Sequence, residues 1–211
     1  MREESLPRPW LKLSEEAGPT LPLGMQVRFD QLRNPRNGAE RKALVIETGD
    51  WVNIVALTPD ERIVVIRQYR FGVARVSTEI PGGLVEPGAA HGVAAQRELV
   101  EETGYTSADW YYLGAVEPNP AFLTNRCHQW LARNALPSNS PTFEEGEDIV
   151  VATLTPAQVG AEIRSGAFRH SLALLALAYV FDLRTLLGNA ATAESPVAEP
   201  VEATGDSAVA G

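Results

Sequence analysis

Three carboxylates stand close together in this chain: Glu98, Glu101 and Glu102. Residues 89–103 are good helix formers, and Gly104 sits where a left-handed C-terminal cap belongs. On such a helix Glu98 and Glu102, four apart, point from one face, with Glu101 one step round. Carboxylates that close repel one another unless a cation sits among them. A hard divalent cation such as Mg2+ takes carboxylate oxygens, waters and phosphate oxygens. The competing reading is a solvated acidic face. The loop ahead of the helix decides between them: it carries Pro81-Gly82-Gly83 at one end and Pro87-Gly88 at the other. Such a loop lets backbone approach a ligand closely, which favours a phosphate and metal site.

The rest of the chain must position that segment. Its 211 residues suit one domain with appendages, and 45% hydrophobic residues are enough for a core. Residues 1–24 read as a flexible arm with at most short structure. Residues 25–50 read as an N-terminal β section, with strands at 25–32 and 41–47 around the turn cluster Asn34-Pro35-Arg36-Asn37-Gly38. Further strands are expected at 51–57, 62–69, 110–116, 126–133 and 149–154. The strand at 62–69 is rich in Val and Ile, as for one buried on both faces. Thr155 and Pro156 are an N-cap and first-turn pair that starts a helix through Arg164, and a final helix is expected over 168–187. Residues 51–188 thus form the main domain. Residues 189–211 hold Ala, Glu, Pro and Ser with no aromatic and read as a disordered tail. This order predicts an α+β fold with a mixed sheet between helices.

Composition excludes several roles. A net charge of -9 argues against coating nucleic acid, which needs basic patches. The single Cys127 excludes an internal disulfide framework and fits a reducing, cytoplasmic setting. No run is long and apolar enough for a membrane span, and the stretch at 172–187 carries Asp182 and Arg184. The histidines have no metal-ligand spacing to one another or to Cys127, so no zinc site is expected. Trp51, Trp110 and Trp130 are expected in the core.

The central segment resembles the Nudix hydrolase box, G-x5-E-x7-R-E-U-x-E-E-x-G-U, where U is bulky and apolar. With Gly83 as the first glycine, Arg97, Glu98, Leu99, Glu101, Glu102, Gly104 and Tyr105 fall in register. The early glutamate of the box falls on Ala89. A weaker resemblance, to the ADP-ribose pyrophosphatase and nucleoside diphosphate sugar hydrolase branch, rests on Arg67-Gln68-Tyr69-Arg70, on Glu79-Ile80-Pro81-Gly82-Gly83, and on Pro120 after the box.

The resemblance implies a Nudix-type α/β/α sandwich whose N-terminal antiparallel β section is exchanged between the subunits of a homodimer. It implies hydrolysis of the pyrophosphate of a small nucleotide substrate, ADP-ribose first among them, with Mg2+ and with Mn2+ able to substitute. It assigns Glu98 and Glu102 as main metal ligands, joined by Glu101 and the Gly82 carbonyl. Arg97 braces the metal-binding helix. With Ala89 in place of its usual partner, Glu101 or Glu86 is the substitute at hand. The general base falls in the acidic loop at 143–149, on Glu145 or Glu147, with a solvated loop as the alternative. Arg70, Arg67, Glu79 and Gly83 are the substrate-binding candidates. Two other readings stay open: a nucleoside triphosphate or dinucleotide substrate, or a nucleotide-sugar sensor without turnover.

Overall fold

The structure, a computed structural model, describes residues 6–143, 146 and 148–188. In chain order it holds β1 (Leu11–Thr20), β2 (Gln26–Arg33), β3 (Glu40–Glu47), β4 (Trp51–Ala56), β5 (Ile63–Arg70), β6 (Arg75–Glu79), β7 (Gly82–Leu84), α1 (His91–Thr103), β8 (Tyr105–Thr106), β9 (Asp109–Val116), β10 (Cys127–Arg133), β11 (Leu136–Pro137), β12 (Val150–Leu154), α2 (Pro156–Ser165), α3 (Ser171–Val180) and α4 (Leu183–Leu187).

Two small sheets make the centre. One has the order β7-β4-β10-β9, with β10 parallel to β4 and the other pairs antiparallel; the other has the order β12-β5-β6. Helices cover both faces. On one face Val52, Ile54, Ala56 and Ala132 pack against Ala94, Ala95 and Leu99 of α1. On the other, Val55, Leu131, Ile63 and Val65 pack against Phe168, Ala173, Ala176 and Leu177, around α3. Alternate residues of β4 thus serve opposite layers, as the period of a strand requires. This is the α/β/α sandwich with a mixed sheet that the sequence predicts.

Four expectations need correction. Residues 11–20 are not part of a flexible arm: they form β1, paired antiparallel along β2. The alternation of Leu11 and Leu13 with Lys12 and Ser14 was the signal. β2 completes it with ladder hydrogen bonds and with the Lys12–Asp30 ion pair at 2.9 Å. The final helix is not continuous from 168 to 187. It starts at Ser171, with His170 as N-cap, and breaks at Phe181, whose backbone is extended. Asp182 then caps α4 by accepting from the Arg184 N–H. β6 and β7 were not anticipated, because glycine and arginine there hide the strand pattern. Finally, Trp51 is not core but 37% exposed.

Candidate active site

α1 earns its start and end differently. Its N-cap, Ala90, offers no side-chain acceptor, and its C-cap, Gly104, takes the left-handed conformation at φ 73°. A side chain at Gly104 would collide with the Asn139 carbonyl, since the loop after β11 folds over this end of the helix. Ser138 and Asn139 donate backbone N–H groups to the Gly104 carbonyl, and Thr142 donates to the Glu101 carbonyl at 2.9 Å.

The two glycines of β7 lie directly against the carboxylates of α1. The Gly82 N–H donates to Glu102 Oε2 at 2.8 Å, and Glu102 is only 4% exposed. A Cβ on Gly83 would sit 2.4 Å from the Glu98 carboxylate. Close approach requires glycine at 82, where a Cβ would sit 2.3 Å from the Val52 carbonyl, while at 83 a Cβ would displace the end of the Glu98 side chain. β7 is seated by pairing Gly82 with Asn53 and Gly83 with Val52. The turn after it is tied by a Val85 N–H to Asp50 carbonyl hydrogen bond at 2.8 Å.

Arg97 has partners despite Ala89. It donates to Glu101 at 2.6 Å, to Glu98 at 2.7 Å and to the Leu84 carbonyl at 3.2 Å, with Glu86 at 4.0 Å. Burial works against its charge, but Glu98 and Glu101 outweigh it and hold the guanidinium above its usual range. Both substitutes expected from the sequence, Glu101 and Glu86, are at hand, Glu101 in direct contact. Among the described residues no three His, Cys, Asp or Glu side chains surround one point. The donors present are nonetheless hard oxygens on one helix face, beside the backbone of Gly82 and Gly83, and this suits a hard cation whose remaining ligands are waters, carbonyls and phosphates.

A cleft of about 380 Å³ is lined by Trp51, which pairs with Leu84 of β7, and by Arg70, Arg75, Glu79, Arg169 and His170 among others. Arg70 forks onto Glu79, with Nε–Oε1 at 2.9 Å and Nη2–Oε2 at 2.7 Å. Burial pushes Glu79 up, but the Arg70 hydrogen bonds and the charges of His170 and Arg70 outweigh it and hold the carboxyl below its usual range. Arg67, also a candidate, does not line the cleft; it pairs with Glu162 of α2 at 2.6 Å.

Glu145 and Glu147 lie outside the described residues. Their neighbours bracket them. Thr142 is bonded to α1 at Glu101, and Val150 pairs with Arg67 on β5.

Three features escaped the sequence. Arg169 and His170 reach the cleft because the last helix starts late, which only the turn at Ser165-Gly166 hinted at. His91 and His128 stack at 4.0 Å, near parallel, with His128 between Asp50 at 3.1 Å and the Tyr112 hydroxyl at 3.0 Å. Their separation in sequence hides this. Cys127 is buried, and desolvation pushes its thiol up to about 11, so it is inert.

Comparison with known proteins supplies the family. A 30% identical stretch of 120 residues, 56% of this chain and 65% of the relative, matches an ADP-ribose pyrophosphatase of Bacillus subtilis (strain 168). A 27% identical stretch of 157 residues, 74% of this chain and 84% of the relative, matches a methanol dehydrogenase activator of Bacillus methanolicus. A crystal structure of an ADP compounds hydrolase superposes with a TM-score of 0.74, covering 87% of this chain and 98% of that one. At 22% identity, that likeness concerns the fold. The NUDIX domain model matches residues 48–173, which span β4, the glycine strand, α1 with its carboxylates, the acidic loop and the start of α3. The chain belongs to the Nudix family of hydrolases.

Proposed function

We propose that the chain hydrolyses the pyrophosphate bond of a nucleoside diphosphate sugar, with ADP-ribose as the best candidate, giving AMP and ribose 5-phosphate. The observation that carries this is the setting of Glu98 and Glu102 against Gly82 and Gly83, at the end of a chain segment whose Glu79 lines a cleft with Arg70, Arg75 and Arg169 on its walls. The likeness to an ADP-ribose pyrophosphatase supports the choice of substrate.

Glu98 and Glu102 would hold Mg2+, or Mn2+ in its place, with Glu101 and the Gly82 carbonyl as further ligands. When bound, the cation supplies charge neutralisation at the pyrophosphate and a lower pKa for the attacking water. The arginines of the cleft hold the anionic substrate. Arg97 pairs with Glu98 and Glu101 and, through the Leu84 carbonyl, ties this part of the helix to β7. The missing Cβ at Gly83 leaves Glu98 room beside the backbone. A glutamate of the acidic loop takes the proton of the water.

Assays of ADP-ribose, other nucleotide sugars, nucleoside triphosphates and dinucleotides, each with Mg2+, test the substrate. The highest kcat/KM is expected for ADP-ribose. A preference for a triphosphate or dinucleotide would replace this reading, and binding without turnover would leave a sensor.

The same reading includes a homodimer. The sheet β1-β2-β3 is bound to the body through Ile46, which bonds to Phe122 and Thr124, and it exposes Trp10, Leu11 and Leu44. Three strands without a packed face are marginal alone. A second copy is the expected cover. Light scattering of the full chain is expected to give twice the 22.8 kDa of one chain; a monomer at micromolar concentration would refute the dimer.

A further inference from the structure

Glu79 and His170 face each other across the cleft with one hydrogen-bonding direction left on each. A carboxylate has about four lone-pair sites. Arg70 takes one site on each Glu79 oxygen, and Ser77 also draws on this carboxylate, which still leaves it an acceptor site. His170 is the N-cap of α3, and its Nδ1 accepts from the Ala173 N–H at 3.3 Å. That bond fixes the tautomer, so in the neutral ring the proton is on Nε2. Nε2 makes no hydrogen bond to any described residue; it lies 4.0 Å from Glu79 Oε2. That gap is too long for a direct hydrogen bond. An oxygen placed about 2.8 Å from both ends would see them at an angle of about 90°, close to what a hydroxyl needs to donate one way and accept the other. Glu79 is 2% exposed and the His170 side chain 28%, and both line the cleft.

We propose that His170 and Glu79 read one ribose hydroxyl of the substrate, the hydroxyl donating to Glu79 Oε2 and accepting from His170 Nε2–H. This rests on the nucleoside diphosphate sugar reading above and makes His170 a specificity-determining residue. A phosphate oxygen cannot take the position, because it has no proton for Glu79. Burial holds the His170 imidazole below its usual pKa despite the pull of Glu79.

Two substitutions separate this role from helix capping. His170→Asn puts an amide oxygen near the place of Nδ1 and keeps the cap, but removes the reach to the cleft. His170→Gln carries an amide N–H near the place of Nε2 and loses the cap. With ADP-ribose and Mg2+, His170→Asn is expected to keep Tm, raise KM by roughly five- to tenfold and leave kcat nearly unchanged. His170→Gln is expected to lower Tm yet hold KM closer to wild type. Among ADP-ribose analogues each lacking one ribose hydroxyl, one is expected to raise the wild-type KM by a similar factor and to show no further rise with His170→Asn. An unchanged KM in His170→Asn, a rise shared by every analogue, or a KM that follows Tm would overturn the proposal while leaving the pyrophosphatase reading intact. Failure of the wild type to hydrolyse any nucleoside diphosphate sugar would remove that reading and this one with it.

Discussion

Glu102→Gln is expected to fold as the wild type does and to lose turnover by about two to three orders of magnitude. The fold should survive because glutamine keeps a carboxamide oxygen where Glu102 Oε2 now accepts the Gly82 N–H at 2.8 Å. The side chain stays the same length, so the contact between α1 and β7 is retained. What disappears is one unit of negative charge on the face shared with Glu98. A cation bound there stabilises the transition state by several kcal/mol, and each 1.36 kcal/mol is a factor of ten in rate. Circular dichroism and a thermal melt check the fold; steady-state turnover of ADP-ribose at several Mg2+ concentrations checks the loss. Excess Mg2+ should restore part of the rate if the ligand is weakened rather than abolished. Near-wild-type turnover in a folded Glu102→Gln protein contradicts the assignment.

Glu147→Gln is expected to lower kcat by about 10²–10⁴, the usual contribution of a positioned general base, while Glu145→Gln changes it little. The choice between the two follows from support. Glu147 stands directly before Asp148, the buried Ile149 and the strand β12. A base held by a strand keeps its distance to the water, and misplacement by about 1 Å can cost about a hundredfold. Both substitutions, assayed at saturating Mg2+ and substrate, decide the matter. A severe fall at 145 alone moves the role there. Small effects at both would place the base elsewhere, with Glu101 the next candidate.

The legible parts of this protein were those encoded locally. α1 could be read from Glu98, Leu99, Glu102 and Gly104, because helical spacing and a left-handed cap are properties of neighbouring residues. β4 and β5 could be read from their apolar runs, and the Thr155 cap from a dipeptide. The capping box it forms with Gln158 is present in full. What was hidden depends on partners distant in sequence. β1 is charged and proline-bearing, and becomes a strand because β2 lies beside it. Arg67 resembles a phosphate ligand until Glu162, far along the chain, is placed next to it. Arg70 and Glu79 were both candidates, yet that they bind each other is seen only once β5 and β6 lie side by side and the Arg70 side chain reaches along the ladder, where its backbone pairs with Arg75. His170 was weighed only as a metal ligand, because a histidine N-cap is identified by where the helix begins, and that boundary was set three residues too early.

The loss of the box glutamate at Ala89 illustrates how one substitution is absorbed. Arg97 needs anionic partners, since its guanidinium is partly buried and an unpaired charge there would be costly. Glu101 lies one helical turn away and supplies a contact at 2.6 Å. Glu98 supplies the second at 2.7 Å. The helix face therefore keeps its geometry without the residue at position 89.

One measurement tests the central claim most directly: release of AMP from ADP-ribose by the purified full chain, with Mg2+ and then with the metal removed by a chelator. The account predicts equal amounts of AMP and ribose 5-phosphate with Mg2+, none after chelation, and recovery when Mg2+ is restored. ADP-ribose left intact in the presence of Mg2+, or the same rate of AMP release with the metal removed, would contradict it.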